Sequence, residues 1–521
     1  MKVLLVKPNN LSDHIQPSLG LGYMAEQIRK DHDVEFFDCI KERVNPADFT
    51  QVLERSKPDV VGIQCYTFDL RNVRALLNVV KTYDPKLTTV VGGAHISSDP
   101  EGAFLNFGKQ IVDYGWVGEA ETSFPGFLQK LEKGDKDFSK IPGVAWWEGD
   151  KVKHNPLMYV DDLDALGAPA WDLLKPETYP ESQHGAFFKK FPIAPIITTR
   201  GCPFSCTFCS APMMSGKKLR HHSLEYVLAQ INHLYHDRGV REIHIVDDNF
   251  TMEIDYAKMI LRGIIDLKLD ISLALPNGIR MDYLDDELLE IMREAGVYVV
   301  SVAVESGTDR ILKLMKKGMT RAKIEKCIGL IRKHDLDVAA FFILGFPSET
   351  KEEIQETIKL SRNLDLVRAN YFTYLPLPGT ESYRKLLQSG EIQNVDWDHF
   401  YFTSAAYVPK GMTREELLKM KSRAFFRFYF TPSVFLKNLR AIQNFNHFRF
   451  LLKRFFNWFL TPNYDKMRRK EEESLRVPQV PGNVVPAKVT HSLPAATGHS
   501  HHDHDHGHEH DHEVEVQSAQ G

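Results

Sequence analysis

Cys202, Cys206 and Cys209 carry the clearest chemistry in this chain of 521 residues. They follow the β-branched run Ile196-Ile197-Thr198-Thr199 and an Arg200-Gly201 turn, with the spacing C-x3-C-x2-C. Thiolates are the usual protein ligands of iron–sulfur clusters, and a 4Fe–4S cube normally takes four. Three thiolates leave one iron without a protein ligand, open to N and O atoms of a substrate or cofactor. A structural zinc knuckle would want a fourth ligand at short spacing. His221 and His222 are the only nearby candidates, and they stand where a helix begins. Half of the six cysteines sit in this one motif. That favours a reducing compartment and a metal or redox role over a disulfide framework.

The motif resembles the signature of the radical S-adenosylmethionine (SAM) superfamily, C-x3-C-x-aromatic-C, with Phe208 as the aromatic. The resemblance implies a 4Fe–4S cluster on the three cysteines, with SAM chelating the open iron through its amino and carboxylate groups. Cleavage of SAM then yields methionine and a 5′-deoxyadenosyl radical. An external electron donor such as flavodoxin or ferredoxin is implied as well.

These residues need a scaffold, and the chain exceeds the size at which one core stops growing, so two or three domains are expected. The first part alternates strand and helix signals. Strands are expected at Val3 to Val6, Val34 to Phe37, Val60 to Ile63, Thr88 to Val91 and Ile111 to Tyr114. Helices are expected at Leu19 to Lys30, Pro46 to Ser56, Leu70 to Tyr83 and Glu119 to Lys133. This is the pattern of an open, doubly wound parallel sheet, whose ligands sit at the carboxyl ends of the strands. The loops there contain Ser18, Thr67, Gly92, Gly93, His95, Gly118 and Glu119. Glycine at such positions lets the backbone approach a large, flat ligand. This loop order resembles the Rossmann-like cobalamin-binding domain that precedes many radical SAM domains, which implies cobalamin as a further cofactor. A D-x-H-x-x-G motif, the cobalt-ligating histidine of many cobalamin folds, is not found; Asp13-His14 lacks the spacing.

A hairpin from Gly143 to Val152 and an acidic, proline-bearing connector from Asp161 to Pro180 mark a boundary. From about Ala194 a second alternating series begins, with strands ending near Thr199, Val246, Leu275, Val304, Leu344 and Tyr374. Six such units predict a partial (β/α)6 TIM-like barrel with its chemistry at the strand ends. By resemblance, Asp247 lies where relatives contact the SAM amino group. Asn277 and Arg280 follow the third strand, where a guanidinium can hold the SAM carboxylate. Glu305 and Ser306, in the E-S-G run, lie where a carboxylate can accept the ribose hydroxyls. Gly345 lies in a segment resembling the adenine-contacting G-x-I-x-G stretch, with Phe341 in place of its first glycine.

Beyond the barrel, basic residues outnumber acidic ones from Arg414 to Lys470, and Phe425, Phe426, Phe428, Phe445, Phe455 and Trp458 are among a crowd of aromatics. Two readings stand there: a basic amphipathic surface touching a membrane from its inner face, or helices packed on the barrel that close over a bulky apolar substrate. From Glu471 the periodicity is lost and disorder is expected. The chain ends in a His-rich tail, His499 to His512, whose alternating imidazoles and carboxylates suit Ni or Zn. The expected division is a cobalamin-binding domain at 1–140, hairpin and linker at 141–190, the radical SAM barrel at 191–400, a basic aromatic α-helical region at 401–470 and the tail at 471–521. A formal net charge of -4 gives no argument for nucleic acid. The apolar run at Met1 to Pro8 is too short for a signal peptide or a span, so the expected location is cytoplasmic.

The function expected is that of a cobalamin-dependent radical SAM enzyme that methylates an unactivated carbon of a bulky, apolar small molecule. By resemblance, one SAM methylates cobalt to give methylcobalamin and another yields the radical. The alternatives are an oxidative cyclase resembling the anaerobic magnesium-protoporphyrin monomethyl ester cyclase, and a lipid- or hopanoid-modifying enzyme. A metal-handling protein built on the cysteines and the His-rich tail is a third class, which the barrel signal disfavours.

Overall fold

The computed structural model describes residues 1–10, 15–181, 188–393, 404–440 and 472–483, with scattered positions between 395 and 452. Asp13-His14, the aromatics from Phe455 to Phe459 and the His-rich tail lie outside the described residues.

The first sheet contains β1 (Lys2–Lys7), β2 (Asp33–Asp38), β3 (Val60–Gln64), β4 (Thr88–Gly92), β5 (Tyr114–Trp116), β6 (Val144–Glu148) and β7 (Lys151–His154). Their order is β2-β1-β3-β4-β5-β6-β7. The first five are parallel, and β6 and β7 add an antiparallel hairpin on β5. The near-continuous apolar runs of β1 and β3 suit strands covered on both faces. Leu4, Val6, Val61 and Ile63 enter one core, and Val3, Leu5 and Val60 the other. The strand order reverses between β1 and β3, the switch point at which such sheets open a ligand crevice.

Two expectations shift here. The fifth strand is Tyr114–Trp116, because Ile111 and Val112 are buried in the turn before it. The helix expected from Glu119 begins only at Phe124, with Pro125 in its first turn, where the missing N–H costs nothing. The hairpin expected in the linker belongs to the first sheet, so that unit runs through His154.

The second sheet has the order β15-β14-β13-β12-β11-β8, all parallel. Its strands are β8 (Ile193–Ile196), β11 (Glu242–Ile245), β12 (Ser272–Ile279), β13 (Val297–Glu305), β14 (Asp337–Leu344) and β15 (Arg368–Thr373). Between β8 and β11 lies a two-stranded ribbon, β9 (Thr199–Arg200) with β10 (Arg220–His221). Helices Leu224–Asp237, Ile254–Asp266, Asp286–Glu294, Arg321–Lys333 and Lys351–Asn363 alternate with the strands. This is the six-unit partial barrel. The third strand runs to Ile279, beyond its expected end, through an irregular register against β13.

Helix Arg414–Tyr429 packs on the barrel through Leu417, Met420, Ala424 and Phe428, a face at helical spacing buried in the barrel core. The next helix, Pro432–Arg440, buries Val434 and exposes Phe435, Leu436 and Leu439. Residues 472–483, expected to be disordered, lie on the first domain. Val477 enters its core, and Asn483 bonds Phe107 O at 3.0 Å. No helix among the described residues is long and apolar enough to cross a membrane.

Candidate active site

The three cysteines lie in the loop whose neck is the β9–β10 ribbon. Gly201 takes φ +104°, and a Cβ there would fall 2.2 Å from Lys218 O, so the turn requires glycine. Backbone bonds fix the loop: Cys202 N donates to Gly216 O, Cys209 N to Cys206 O and Thr207 N to Met315 O. Ser382 N and Oγ both donate to Thr207 O, which ties the loop to the segment after β15. Phe208 packs against the apolar cluster of Ile311, Met315, Phe346 and Tyr374.

The thiols are half-buried. Desolvation raises Cys202 and pushes Cys209 up to about 12, and the neighbouring Cys206 adds to both. Among the described residues no three His, Cys, Asp or Glu side chains are grouped as a single metal ion would need. Three half-buried thiols on one backbone-fixed loop fit a cube, whose ligands bind different irons.

The strand ends surround this loop. Asp247 is buried and accepts from Thr198 N (2.7 Å), Thr198 Oγ1 (2.5 Å) and Thr199 Oγ1 (2.9 Å). Its oxygens thus brace the strand leading to the cysteines instead of facing an open site. Burial nevertheless pushes its carboxyl up to about 6. Asp248, next to it, is exposed yet desolvated, and its charge reaches Cys202, Cys209 and Tyr66.

Asn277 is exposed and gives its amide to Val246 O at 2.6 Å. Arg280 binds Asp282 through Nε (2.9 Å) and Nη2 (2.7 Å), which leaves Nη1 outside that pair. Its guanidinium lies 3.8 Å from the Phe204 ring centroid and within electrostatic reach of Cys206. Glu305 is buried in a left-handed backbone conformation, φ +65°, and its carboxylate lies 3.3 Å from Lys317 Nζ. Burial raises its carboxyl against the opposing Lys317 charge. A non-glycine residue held at positive φ stores strain that surrounding structure must impose, and such strain clusters at functional sites.

Two expected contacts turn elsewhere. Ser306 is fully buried, with Oγ at 3.4 Å from both Thr308 Oγ1 and Thr357 Oγ1, so it seats its loop on helix Lys351–Asn363. Gly345 gives its N–H to Glu349 Oε2 at 2.6 Å, and a Cβ there would meet Leu417 at 2.8 Å. That places it beneath helix Arg414–Tyr429.

The loop ends of the first sheet face the same region. Ser18 Oγ donates to Gln64 Oε1 across the switch point (3.1 Å). Gly93, at φ +109°, sits so close to Cys65 O that a Cβ would lie at 3.0 Å, whereas a Cβ on Gly92 would meet only Trp116 Cβ, at 3.6 Å. Gly118 N donates to Ser97 Oγ at 3.0 Å. Tyr66 keeps 39% of its surface, stacks on Phe68 at 5.5 Å, and has its hydroxyl pushed up to about 12 by desolvation and then by Asp69 and Asp248. Helix Ala94–Ser98 packs on helix Ala211–Ser215, directly after the cysteine loop. These glycine loops and the exposed Tyr66 form a cradle on the side of the cysteine loop, where backbone without side chains can approach a large ligand.

Two loop residues are placed otherwise than expected. His95 is 1% exposed, with Nδ1 3.3 Å from Thr67 Oγ1 and Trp397 edge-on at 5.4 Å. Glu119 closes the interface between the domains, accepting from Arg220 Nη2 (2.7 Å), Arg220 Nη1 (2.8 Å) and Val160 N (2.8 Å). The sequence reading missed Arg200, Arg220, Glu121, Lys317 and Trp397. Two of them carried a signal: Arg200 as the residue before the cysteine turn, and Glu121 in the strand-end loop of Gly118 and Glu119.

The comparisons with known proteins agree with this geometry. Residues 196–361 match the radical SAM superfamily, and residues 11–128 match the B12 binding domain. The chain belongs to the radical SAM superfamily and is a radical SAM enzyme. It belongs, more narrowly, to the cobalamin-dependent group, with 4Fe–4S, SAM and cobalamin as its cofactors. It is 29% identical over 471 residues to an uncharacterized methyltransferase of Pyrococcus horikoshii, covering 89% of this chain and 99% of that protein. It is 29% identical to the cytidylyl-2-hydroxyethylphosphonate methyltransferase of Streptomyces wedmorensis, covering 75% of this chain and 82% of that one. The fold is that of the cobalamin-dependent SAM radical enzyme OxsB, at TM-score 0.65 and 16% identity, covering 91% of this chain and 71% of that one.

Proposed function

We propose that the enzyme transfers a methyl group from SAM, by way of cobalamin, to an unactivated carbon of a bulky apolar small molecule. The observation that carries this reading is the opposition of two loop sets, with helix Ala94–Ser98 packed on helix Ala211–Ser215 and the Asp248 charge within electrostatic reach of both Tyr66 and Cys202. When bound, the cluster and SAM supply the radical that removes hydrogen from the substrate carbon, and cobalamin supplies the methyl group that replaces it.

The chain's own residues orient and enclose. Cys202, Cys206 and Cys209 hold the cluster. Glu305, fixed by Lys317, presents a carboxylate to the ribose hydroxyls, and Arg280 and Asn277 frame the amino-acid end of SAM. Helices Ala94–Ser98 and Ala211–Ser215 and the turn at Gly379 close one side against water, since a Cβ on Gly379 would meet both Met213 Sδ and Ser98 O. An acidic redox protein of the flavodoxin or ferredoxin type supplies the electron.

The test is anaerobic reconstitution with iron, sulfide and hydroxocobalamin, followed by turnover with methyl-labelled SAM on apolar candidates. About four irons and one cobalt per chain, with label in the product, support the reading. Deoxyadenosine formed with an unmethylated, oxidised product would favour the cyclase. Iron without retained cobalt would withdraw methyl transfer.

Residues after the barrel support a narrower substrate class. Phe435, Leu436 and Leu439 are exposed beside Arg440 and beside Lys437, which pairs with Asp365, and Phe445 is 75% exposed. Basic, apolar surfaces of this kind sit in the interface of anionic membranes, which suits a lipid substrate taken from the inner face. Sedimentation with anionic but not zwitterionic vesicles supports this contact; sedimentation with neither removes it. The His-rich tail, in this reading, holds Ni or Zn apart from the chemistry.

A further inference from the structure

The ion network between the domains occupies an informative position. Arg200 and Arg220 are direct partners in the β9–β10 ribbon, so together they form the neck of the cysteine loop. Gly201 and Cys202 follow Arg200 without a break. Both guanidiniums are buried, at 8% and 4% exposed, and both reach across to the loop after β5. Arg220 takes Glu119 in bidentate fashion, and its Nη2 also donates to Ser215 O at 2.7 Å within the cysteine loop. Arg200 Nη1 lies 2.9 Å from Glu121 Oε1 and 3.4 Å from Glu119 Oε1, with its guanidinium 5.0 Å from the centroid of Tyr23.

On the other side the same loop forms part of the cobalamin cradle. Gly118, adjoining Glu119, donates to Ser97 Oγ, and Ser97 Oγ donates to Gly93 O, each at 3.0 Å. A run of hydrogen bonds and peptide links, part-buried at Ser97 and Glu119 and buried at Glu121, therefore leads from the β4 and β5 loops to the first cluster cysteine. Two carboxylates balance two guanidiniums within it. Removing one charge leaves the remaining buried charges unbalanced, which is unfavourable, so the members of the network hold one another in place.

We propose that Glu119 and Glu121, acting on Arg200 and Arg220, couple occupancy of the cobalamin cradle to the geometry of the cluster loop, so that each cofactor raises the protein's affinity for the other. Glu119 and Glu121 are positioning residues in this role. The inference rests on both cofactors binding here, as the proposed function requires. Coupling between two ligands is reciprocal, and typical values are about five-fold or more in affinity.

The test measures the dissociation constant of hydroxocobalamin for the full chain, anaerobically, with and without a reconstituted cluster. Wild type is expected to bind cobalamin at least about five-fold more tightly when the cluster is loaded. Glu121→Gln is expected to bring that ratio close to one while still binding cobalamin, and Glu121→Asp to restore part of it. A double variant, Glu121→Gln with Arg200→Gln, removes both charges and serves where the single change unfolds the chain. The converse measurement, the rate of iron loss to a chelator, should slow with cobalamin in wild type and not in Glu121→Gln. A wild-type ratio of one overturns the coupling, as does an unchanged ratio in the variants. A wild type that binds no cobalamin in either state removes the proposed function, and this inference with it.

Discussion

At the scale of single residues, burial of carboxylates sets much of the behaviour. Glu349 is 1% exposed; its Oε2 accepts from the Gly345 and Phe346 amides, and its Oε1 has no partner among the described residues. Burial pushes its carboxyl up to about 8, against those two bonds. An unfolded glutamate titrates near about 4.3, so folding takes up a proton between those two values. The group's contribution to stability is complete below the lower value, falls as pH rises through the window, and is gone above the upper one. Glu349→Gln carries no charge at any pH. Its urea unfolding free energy should therefore gain on wild type by about 1 kcal/mol per pH unit across that window; a difference independent of pH would show the carboxyl to be hydrated. Glu305 makes a second prediction. Its left-handed backbone and its Lys317 partner fix the carboxylate at the end of β13, where the proposed function sets the ribose of SAM. Glu305→Gln should weaken SAM binding about ten-fold, because bonds to charged acceptors are worth about 1.5–3 kcal/mol. Titration calorimetry on cluster-loaded protein reads this directly, and unchanged affinity would take Glu305 out of the SAM site.

Among the elements, the cysteine loop is the one whose shape leaves least freedom. Gly201→Ala would place a Cβ against Lys218 O at 2.2 Å, in a backbone conformation that alanine avoids. The ribbon neck must then open and carry Cys202 away. Iron bound after reconstitution should fall well below the wild-type level, with about 1–3 kcal/mol lost in stability; full iron content would mean the neck tolerates the shift. Much of this architecture was legible beforehand. Leu70–Tyr83 emerged with its expected bounds because its apolar residues repeat at helical period. The strands of both sheets were legible as short apolar runs between turn residues. The run at Ile111 and Val112 misled, since an apolar pair signals burial and not strand geometry. The cysteines were legible because their spacing is itself the chemistry. The role of Glu119 was not, because its partners Arg200 and Arg220 lie 81 and 101 residues away, a separation no local pattern encodes. The surroundings of Ser306 and Gly345 were not legible for the same reason: each meets a helix distant in sequence, Lys351–Asn363 and Arg414–Tyr429.

Across the whole molecule, the chain returns from its far end to its beginning. Residues 472–483 cross helices Leu70–Tyr83 and Pro100–Phe107: Val480 N donates to Asn78 Oδ1 (3.1 Å), Asn483 Nδ2 to Phe107 O (3.0 Å) and Gln110 N to Asn483 Oδ1 (3.2 Å). Val477, 8% exposed, sits in the same core as Leu76, Phe104 and Phe107. The polar bonds fix the register of this strap, while Val477 supplies the apolar burial that holds it, since a fully buried valine is worth about 1.5–3 kcal/mol. Val477→Asp puts an unpaired charge into that core and should cost about 2–4 kcal/mol; Val477→Ala should cost about 1 kcal/mol. Because the strap touches the first domain, the loss should be local. Hydrogen exchange should quicken in helices Leu70–Tyr83 and Pro100–Phe107 and stay unchanged in β11 to β15. The cobalamin cradle is built on the same sheet, so cobalamin affinity should fall in Val477→Asp while iron content holds. Exchange that quickens equally in the barrel would mean the two domains unfold together. Exchange that does not change at all would mean the strap rests on the first domain without stabilising it.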